Sequence, residues 1–297
     1  MSKRRQMEWL TLGLIGLTYM VWGFATIWLA QLWLPLAVLV TTLTLALHSS
    51  LSHEVLHGHP FRSRLLNEAL VFPAIGLFIP YIRFRDTHLD HHRDELLTDP
   101  YDDPESNYLD PAVWDHLSQP KRLILRFNNT LIGRLLIGPV VAQLGFMAAD
   151  WRLIRQGQRH VAWAWVWHIV GVVPVVFWLI YVAQMPIWAY VLAAYMGISI
   201  IKIRTFLEHR AYDRVTGRTV VIEDQGWLAF MFLNNNYHLV HHLHPSVPWY
   251  DLPRLYFENS QSYLEKNDGY RYRSYGEVFR RYLLRAKDQV PHPLWRR

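Results

Sequence analysis

Apolar positions in this chain gather into long unbroken blocks, and the ionisable residues lie between the blocks. The run from Leu10 to about Ala30 is the first. As a helix it can cross the ~30 Å hydrocarbon layer of a bilayer. The basic stretch Met1-Ser2-Lys3-Arg4-Arg5-Gln6 precedes it, as in a secretory signal. No small-residue cleavage site follows, so an uncleaved span is expected. Trp33 to Leu51 reads as a second span, with Pro35 in the first turn, where proline is tolerated. Val161 to about Ala183 and Ile187 to about Ile203 read as the third and fourth. The short connections Gln31-Leu32 and Gln184-Met185-Pro186 carry no charge. Trp9, Trp28, Trp33, Trp163, Trp165 and Trp188 fall near the ends of these blocks, as interfacial aromatics do.

Two other apolar stretches break the pattern. Leu65–Ile82 contains Asn67, Glu68 and Pro73, and Leu131–Ala149 contains Arg134 and Pro139. Polar groups at mid-membrane are costly, so both are expected as interfacial or half-inserted helices. Near the end of the chain, Ser274-Tyr275-Gly276-Glu277 has capping-box spacing. The helix it opens would carry Val278, Phe279, Tyr282 and Leu283 on one face, and Arg280, Arg281, Arg285 and Lys287 around the rest. That helix could lie on anionic lipid or pack on its own domain.

Composition agrees with a membrane region plus a polar cap: 52% of residues are hydrophobic, 14% aromatic and 18% charged. The absence of cysteine excludes disulfides, iron–sulfur clusters and thiolate metal sites. A net charge of +6 ordinarily raises nucleic acid as a partner, but here the cations follow topology. Of the 30 Lys and Arg, three lie in residues 1–8, twelve between the second and third spans and fifteen from Lys202 onward. Positive charge stays on the cytoplasmic side. Both termini and the long middle segment should therefore be cytoplasmic. The expectation is an all-α integral membrane protein forming a single domain over residues 1–297. Four transmembrane helices would carry a cytoplasmic helical cap of residues 52–160 and 204–297, with one or two interfacial helices. No nucleic acid is expected to bind.

The candidate chemistry is histidine. His238, His241 and His242 stand at i, i+3 and i+4, which places all three on one helical face within reach of one point. His88, His91 and His92 repeat the spacing, His53 and His57 stand at i and i+4, and His209 follows the fourth span. All nine fall in segments that the Lys/Arg distribution puts on one side, although histidine took no part in that count. Nine imidazoles exceed the four ligands of a structural zinc site and imply two ions with open positions. All-nitrogen ligation suits zinc, copper or iron. Glu54, Asp86, Asp90, Asp94 and Glu208 adjoin the histidines. They could accept the second ring N–H of each ligand, or be plain helix-surface charges. The acidic, proline-punctuated stretch Asp99–Glu105 reads as a solvated connector or as a strap near the metal site. His59 and His244 precede prolines and read as structural, and His48 as a core or supporting group. His168 lies within the third span, where a functional role and a neutral interhelical hydrogen bond compete. His116, His160 and His292 read as solvent-facing.

As a set, HxxxH, HxxHH, a lone histidine after the last span and HxxHH over four spans resemble the membrane fatty-acid desaturase superfamily, from about Leu45 to Pro253. The resemblance implies two non-haem irons at the cytoplasmic face, held by His53, His57, His88, His91, His92, His209, His238, His241 and His242. It also implies O2 as co-substrate, an acyl chain lying among the spans and electrons from a separate carrier, a ferredoxin or a cytochrome/reductase. Where acyl-CoA desaturases often have a longer first box and an asparagine one turn before the lone histidine, this chain has HxxxH and Thr205. Asn234, four residues before His238, is the candidate for that asparagine's supporting role. The run Asn236–Pro253 looks most like bacterial acyl-lipid desaturases, and also like carotenoid ketolases and hydroxylases. The expected function is therefore an acyl-lipid desaturase of the bacterial inner membrane. The alternatives are a hydroxylase or ketolase acting on an alkane, sterol-like or carotenoid substrate and, more distantly, a non-catalytic metal-binding membrane protein or transporter.

Overall fold

The computed structural model describes residues 7–295, the side chain of Asp94 excepted. Lys3, Arg4 and Arg5, which contribute to the charge count, lie outside the described residues. The chain divides into two compact units, one holding the residues up to Arg85 together with Gln143–Ile201, the other Asp86–Ala142 with the residues from Lys202 onward.

The first unit carries the spans. Among the described residues, four helices are long and apolar enough to cross a membrane: Trp9–Leu32, Leu34–Leu56, Arg159–Tyr181 and Ile187–Thr205. Their outer faces are apolar and exposed, as at Trp163, Trp167, Ile169, Val173, Phe177 and Ile180 of the third. Such a stripe is stable against lipid and would be a liability in water. Polar residues turn inward instead. Thr18, Thr26, Thr44 and Ser52 return their hydroxyls to carbonyls four residues earlier, which satisfies those four donors within their own helices. Trp22 Nε1 donates to Tyr190 Oη at 2.8 Å, and Tyr190 Oη donates to the Ile75 carbonyl at 2.7 Å. A π-helical turn at Ala25–Leu29 interrupts the first span, and the Thr26 carbonyl there accepts from the Gln184 and Met185 amides of the turn between the last two spans.

The stretch Leu65–Ile82 is not one helix. It forms the helix Arg64–Val71, capped by Ser63, and then runs irregularly to Pro80, with prolines at 73 and 80 denying it helical hydrogen bonds. The carbonyls of Ile75, Leu77 and Phe78 are satisfied by Tyr190 Oη, His168 Nε2 and Gln143 Nε2. His168 thus makes the neutral hydrogen bond. Gly171 lets this segment pack against the third span, since a Cβ there would meet the Phe72 carbonyl oxygen at 2.5 Å. Leu131–Ala149 is likewise divided, into the helices Leu131–Leu136 and Gly138–Arg155.

The second unit is built from short helices around a two-stranded parallel sheet, β1 (Val221–Ile222) against β2 (Arg271–Tyr272). This small sheet ties the histidine segments together. The Glu208 carbonyl accepts from Val220 N, the Val220 carbonyl accepts from Leu239 N, and Ile222 N donates to the Asn236 carbonyl. The segment ending in His209 and the helix His238–Leu243 are therefore pinned to the same three-residue stretch, Val220–Ile222. Val221, Tyr237, Val240, Leu252 and Tyr256 fill the core beneath. In the helix Tyr275–Tyr282, Ser274 Oγ accepts from Glu277 N as expected. Its Tyr275 packs edge-on against Phe232 and its Tyr282 against Phe206, so this helix packs on its own unit.

Candidate metal centre

The helix Tyr81–His91 ends in the second histidine box. His88 and His91 lie on its last turn and His92 just beyond, where its amide still donates to the His88 carbonyl. The fourth box opens the helix His238–Leu243. His88, His91, His238, His241 and His242 are all buried.

The six box residues do not converge on one point, as the shared helical face suggested; they divide between two groups. His91, His209, His238 and His242 form one, with ligand nitrogens within 4.8 Å of one another. His209 Nε2 stands 2.9 Å from His91 Nε2 and 3.1 Å from His238 Nε2. His88, His92 and His241 form the other, with His88 and His92 Nε2 atoms 3.0 Å apart. Two nitrogens at right angles around one ion, each ~2.1 Å from it, would stand ~3.0 Å apart. The donor set therefore fits transition-metal ions. In the first unit, His53 lies in the last turn of the helix Leu34–Leu56, and His57 caps that helix with its ring 4.9 Å away.

In His88, His91, His238 and His209 the Nδ1 faces an acceptor, which leaves Nε2 for a metal. His88 Nδ1–H donates to Glu105 at 2.8 Å and His91 Nδ1–H to Asp103 at 2.7 Å. His238 Nδ1–H donates to Asn235 Oδ1 at 3.0 Å, and His209 Nδ1 lies 3.3 Å from Thr219 Oγ1. Asp103 is itself held by the amides of Thr98 and Glu105. The acidic stretch is thus the strap of the sequence reading, and its Asp103 and Glu105 are the supporting carboxylates that the sequence candidates omitted.

Electrostatics follow from this arrangement. Burial alone would pull His91 down, but Glu105, Asp103 and Glu208 outweigh it and hold the imidazole up at about 9. Burial pushes Glu105 up, but His88 and His91 hold it below the usual carboxylate range, so it stays ionised. Burial and neighbouring imidazoles push His209 and His238 well down. Both rings are neutral, the form that binds a metal.

Of the supporting residues expected from sequence, Asp90 and Asn234 have other partners. Asp90 is exposed and pairs with Arg93 at 3.0 Å on the outer face of its helix, so it supports no histidine. Asn234 donates to the Trp249 carbonyl; it is the next residue, Asn235, that holds His238. Leu233 and Asn234 both adopt left-handed backbone, which displaces the helical i−4 relation. Glu208 forms an ion pair with Arg204 at 3.0 Å and lies within ion-pair range of His238, 3.8 Å from its Nδ1. Glu54 stands 3.8 Å from the buried His59, whose Nδ1–H donates to Glu8. Tyr19 and His48 are joined at 3.2 Å, and His244 Nε2 lies 3.1 Å from Tyr263 Oη. His116 and His160 are exposed, but His292 is buried against Thr98 and Tyr108 rather than facing solvent. Lys287, read as a surface cation, is buried and donates to the His209 carbonyl at 2.6 Å.

Neither curated protein sequences nor solved structures gave a match. The family model described as fatty acid desaturase matches residues 28–275, which include every histidine of both groups and His53 and His57 besides. With most of its length matched and its histidines gathered into metal-competent groups, the chain belongs to the fatty acid desaturase family.

Proposed function

We propose that this protein is a di-iron, O2-dependent membrane oxidoreductase that introduces a double bond into the fatty-acyl chain of a lipid. The division of the buried imidazoles into two groups, each backed by its own acceptors, is the observation that carries the reading. His91, His209, His238 and His242 would hold one ion. His88, His92 and His241 would supply three ligands to the other, and His53 and His57 of the first box are proposed to complete that set. Iron bound there would supply the reduction of dioxygen and the removal of one hydrogen from each of two adjacent CH2 groups. The chain's own contribution is orientation. Glu105, Asp103 and Asn235 fix the tautomers of His88, His91 and His238 by accepting from Nδ1–H, so each Nε2 lone pair points at its group. Burial of the rings keeps water from competing for those positions.

The electron donor is proposed to be a separate ferredoxin or cytochrome/reductase. The Lys/Arg distribution supports a bacterial inner-membrane protein with both termini and all the histidine boxes cytoplasmic. The deciding experiment compares the lipids of host cells with and without the gene, supplied with a donor, by mass spectrometry. An acyl chain carrying one new double bond is expected. A hydroxylated or ketolated product without a new double bond would overturn desaturation, and purified protein holding zinc or copper but no iron would overturn the cofactor.

A further inference from the structure

The second unit holds another concentration of charge that the metal centre does not use. A cavity of about 390 Å³ is lined by four cations, Arg210, Arg271, Arg281 and Lys287, with Asp288 the one carboxylate among its lining residues. That volume lies within the range of small-molecule sites. Its walls are tyrosines whose hydroxyls are already committed. Tyr270 Oη donates to the Leu207 carbonyl at 2.8 Å, Tyr272 and Tyr282 bond one another at 2.8 Å, and Tyr108 donates to Asp288. The hydroxyls hold the shape of the cavity, and the cations give it its charge.

Three of these cations have a carboxylate within reach: Glu223 for Arg271 at 3.4 Å, Glu277 for Arg281 at 2.5 Å and Asp288 for Lys287 at 3.9 Å. Arg210 has none among the described residues. Its guanidinium lies 4.3 and 4.2 Å from the ring centroids of Tyr212 and Tyr270 and, among the described residues, donates to the carbonyls of Gly217 and Asn267. Ring faces and carbonyls hold a guanidinium in place but leave its charge uncompensated, and a half-buried charge without a counter-ion is costly. A planar guanidinium fixed by its faces also keeps its edge in one orientation, the arrangement that suits bidentate phosphate binding.

We propose that this cavity binds a phosphate-bearing small molecule, with the phosphate between Arg210 and Lys287 and the exposed Arg271 and Arg281 closing around it. A concave space of this size favours a phosphate ester over the flat acidic face of a protein partner. The wall of the cavity includes Leu207, Arg210 and Ala211, the segment that also carries His209, and Lys287 Nζ bonds the His209 carbonyl. An occupant therefore rests on the strand of chain that supplies a metal ligand. Phosphate binding here depends on neither the identity of the metal nor the reaction.

The test is calorimetric titration of the full-length, metal-loaded protein in phosphatidylcholine nanodiscs with pyrophosphate. Saturable binding at one site is expected, weakened about tenfold or more by Arg210→Gln and by the double variant Arg271→Gln/Arg281→Gln. Arg210 also ties two backbone segments, so the exposed pair carries the test if R210Q does not fold. Displacement of pyrophosphate when phosphatidylglycerol enters the nanodisc would identify the source of the phosphate as a lipid headgroup; undiminished binding would identify it as a soluble ester. Absence of saturable binding, or equal affinity in the wild type and the double variant, would overturn the proposal. So would binding of a hexaglutamate peptide in place of pyrophosphate, which would mark the cavity as a protein-docking site.

Discussion

Replacing Asp103 with alanine removes three hydrogen bonds at once: those from His91 Nδ1 at 2.7 Å, Thr98 N at 2.8 Å and Glu105 N at 2.9 Å. A buried donor left without an acceptor costs ~1–3 kcal/mol, and the wet outer side of the loop, where Tyr101 and Asp102 are exposed, offsets part of this. Loss of a carboxylate behind a ligating histidine weakens metal binding ~10–100-fold. That range corresponds to ~1.4–2.7 kcal/mol. Asp103→Asn keeps the size of the side chain and one oxygen for His91 Nδ1 but loses the charge that raises the imidazole's basicity, so it belongs at the tenfold end. Alanine belongs at the hundredfold end.

The assay is dialysis of purified protein against graded chelator, with the metal remaining per chain measured by mass spectrometry and folding followed by thermal melting. The expected order of retention is wild type, then D103N, then D103A. The loss should begin with one ion of the pair, because His91 belongs to one group alone. A folded D103A that competes with chelator as the wild type does would refute the supporting role. Equal losses in D103N and D103A would show that the charge, not the acceptor geometry, carries the effect.

Asn235→Ala should weaken metal binding about tenfold, and Asn234→Ala should leave it within about twofold, since only Asn235 bonds a histidine ring; chelator competition on both variants separates them. Gly133→Ala should lower the melting temperature, because a Cβ there would sit 1.8 Å from the Phe127 carbonyl oxygen; overpacking against backbone costs ~1–3 kcal/mol or more, and an unchanged melt would refute the contact. In metal-free protein, His91 is raised from 6.5 to about 9, so its stabilisation is fully present below pH 6.5 and is lost as pH rises through about 9. Melting temperatures of chelator-stripped protein should fall across that window, and less steeply in D103N. His92→Ala/His241→Ala, two residues of one group, should cost one ion, whereas His241→Ala/His242→Ala should cost both; inductively coupled plasma analysis counts them, and the loss of both ions from the first variant would refute the grouping.

What the sequence conveyed depended on the physics behind each signal. The four spans were legible because hydrocarbon requires about twenty consecutive apolar residues. The first was read as Leu10 to about Ala30 and is Trp9–Leu32. The second runs on to Leu56, because Ser52, His53, Glu54 and Val55 end the apolar block without ending the helix. The cap was far less legible. The helices that lie wholly within the second unit span three to ten residues and its strands two, too short for periodicity to register. Side chains bonding to backbone hold it instead, as Asn236 does at the Ile222 and Asp224 carbonyls and Asn267 at those of Thr219 and Tyr270. The supporting carboxylates escaped notice because adjacency in sequence is a poor guide to which acceptor a ring nitrogen meets. Glu105 lies 17 residues from His88 and Asp103 lies 12 from His91, and both arrive by a loop fold that no spacing encodes.

The HxxHH spacing itself carries more information than a shared helical face. Successive residues on a helix point ~100° apart, whereas residues at i and i+4 point ~40° apart. The two neighbouring histidines of a box therefore cannot address one ion, and the outer pair can. Ring centroids bear this out: His91–His92 and His241–His242 are 6.3 and 6.1 Å apart, against 4.7 Å for His88–His92 and 4.6 Å for His238–His242. Box two gives its outer pair to one group and His91 to the other. Box four does the reverse, giving its outer pair to the group of His91 and His241 to the group of His88 and His92. Two copies of the motif are thus complementary, each filling the place that the other's geometry leaves open. A single HxxHH would build part of one group and a stray imidazole; the pair builds two metal-competent groups side by side, the arrangement that the proposed two-metal chemistry calls for.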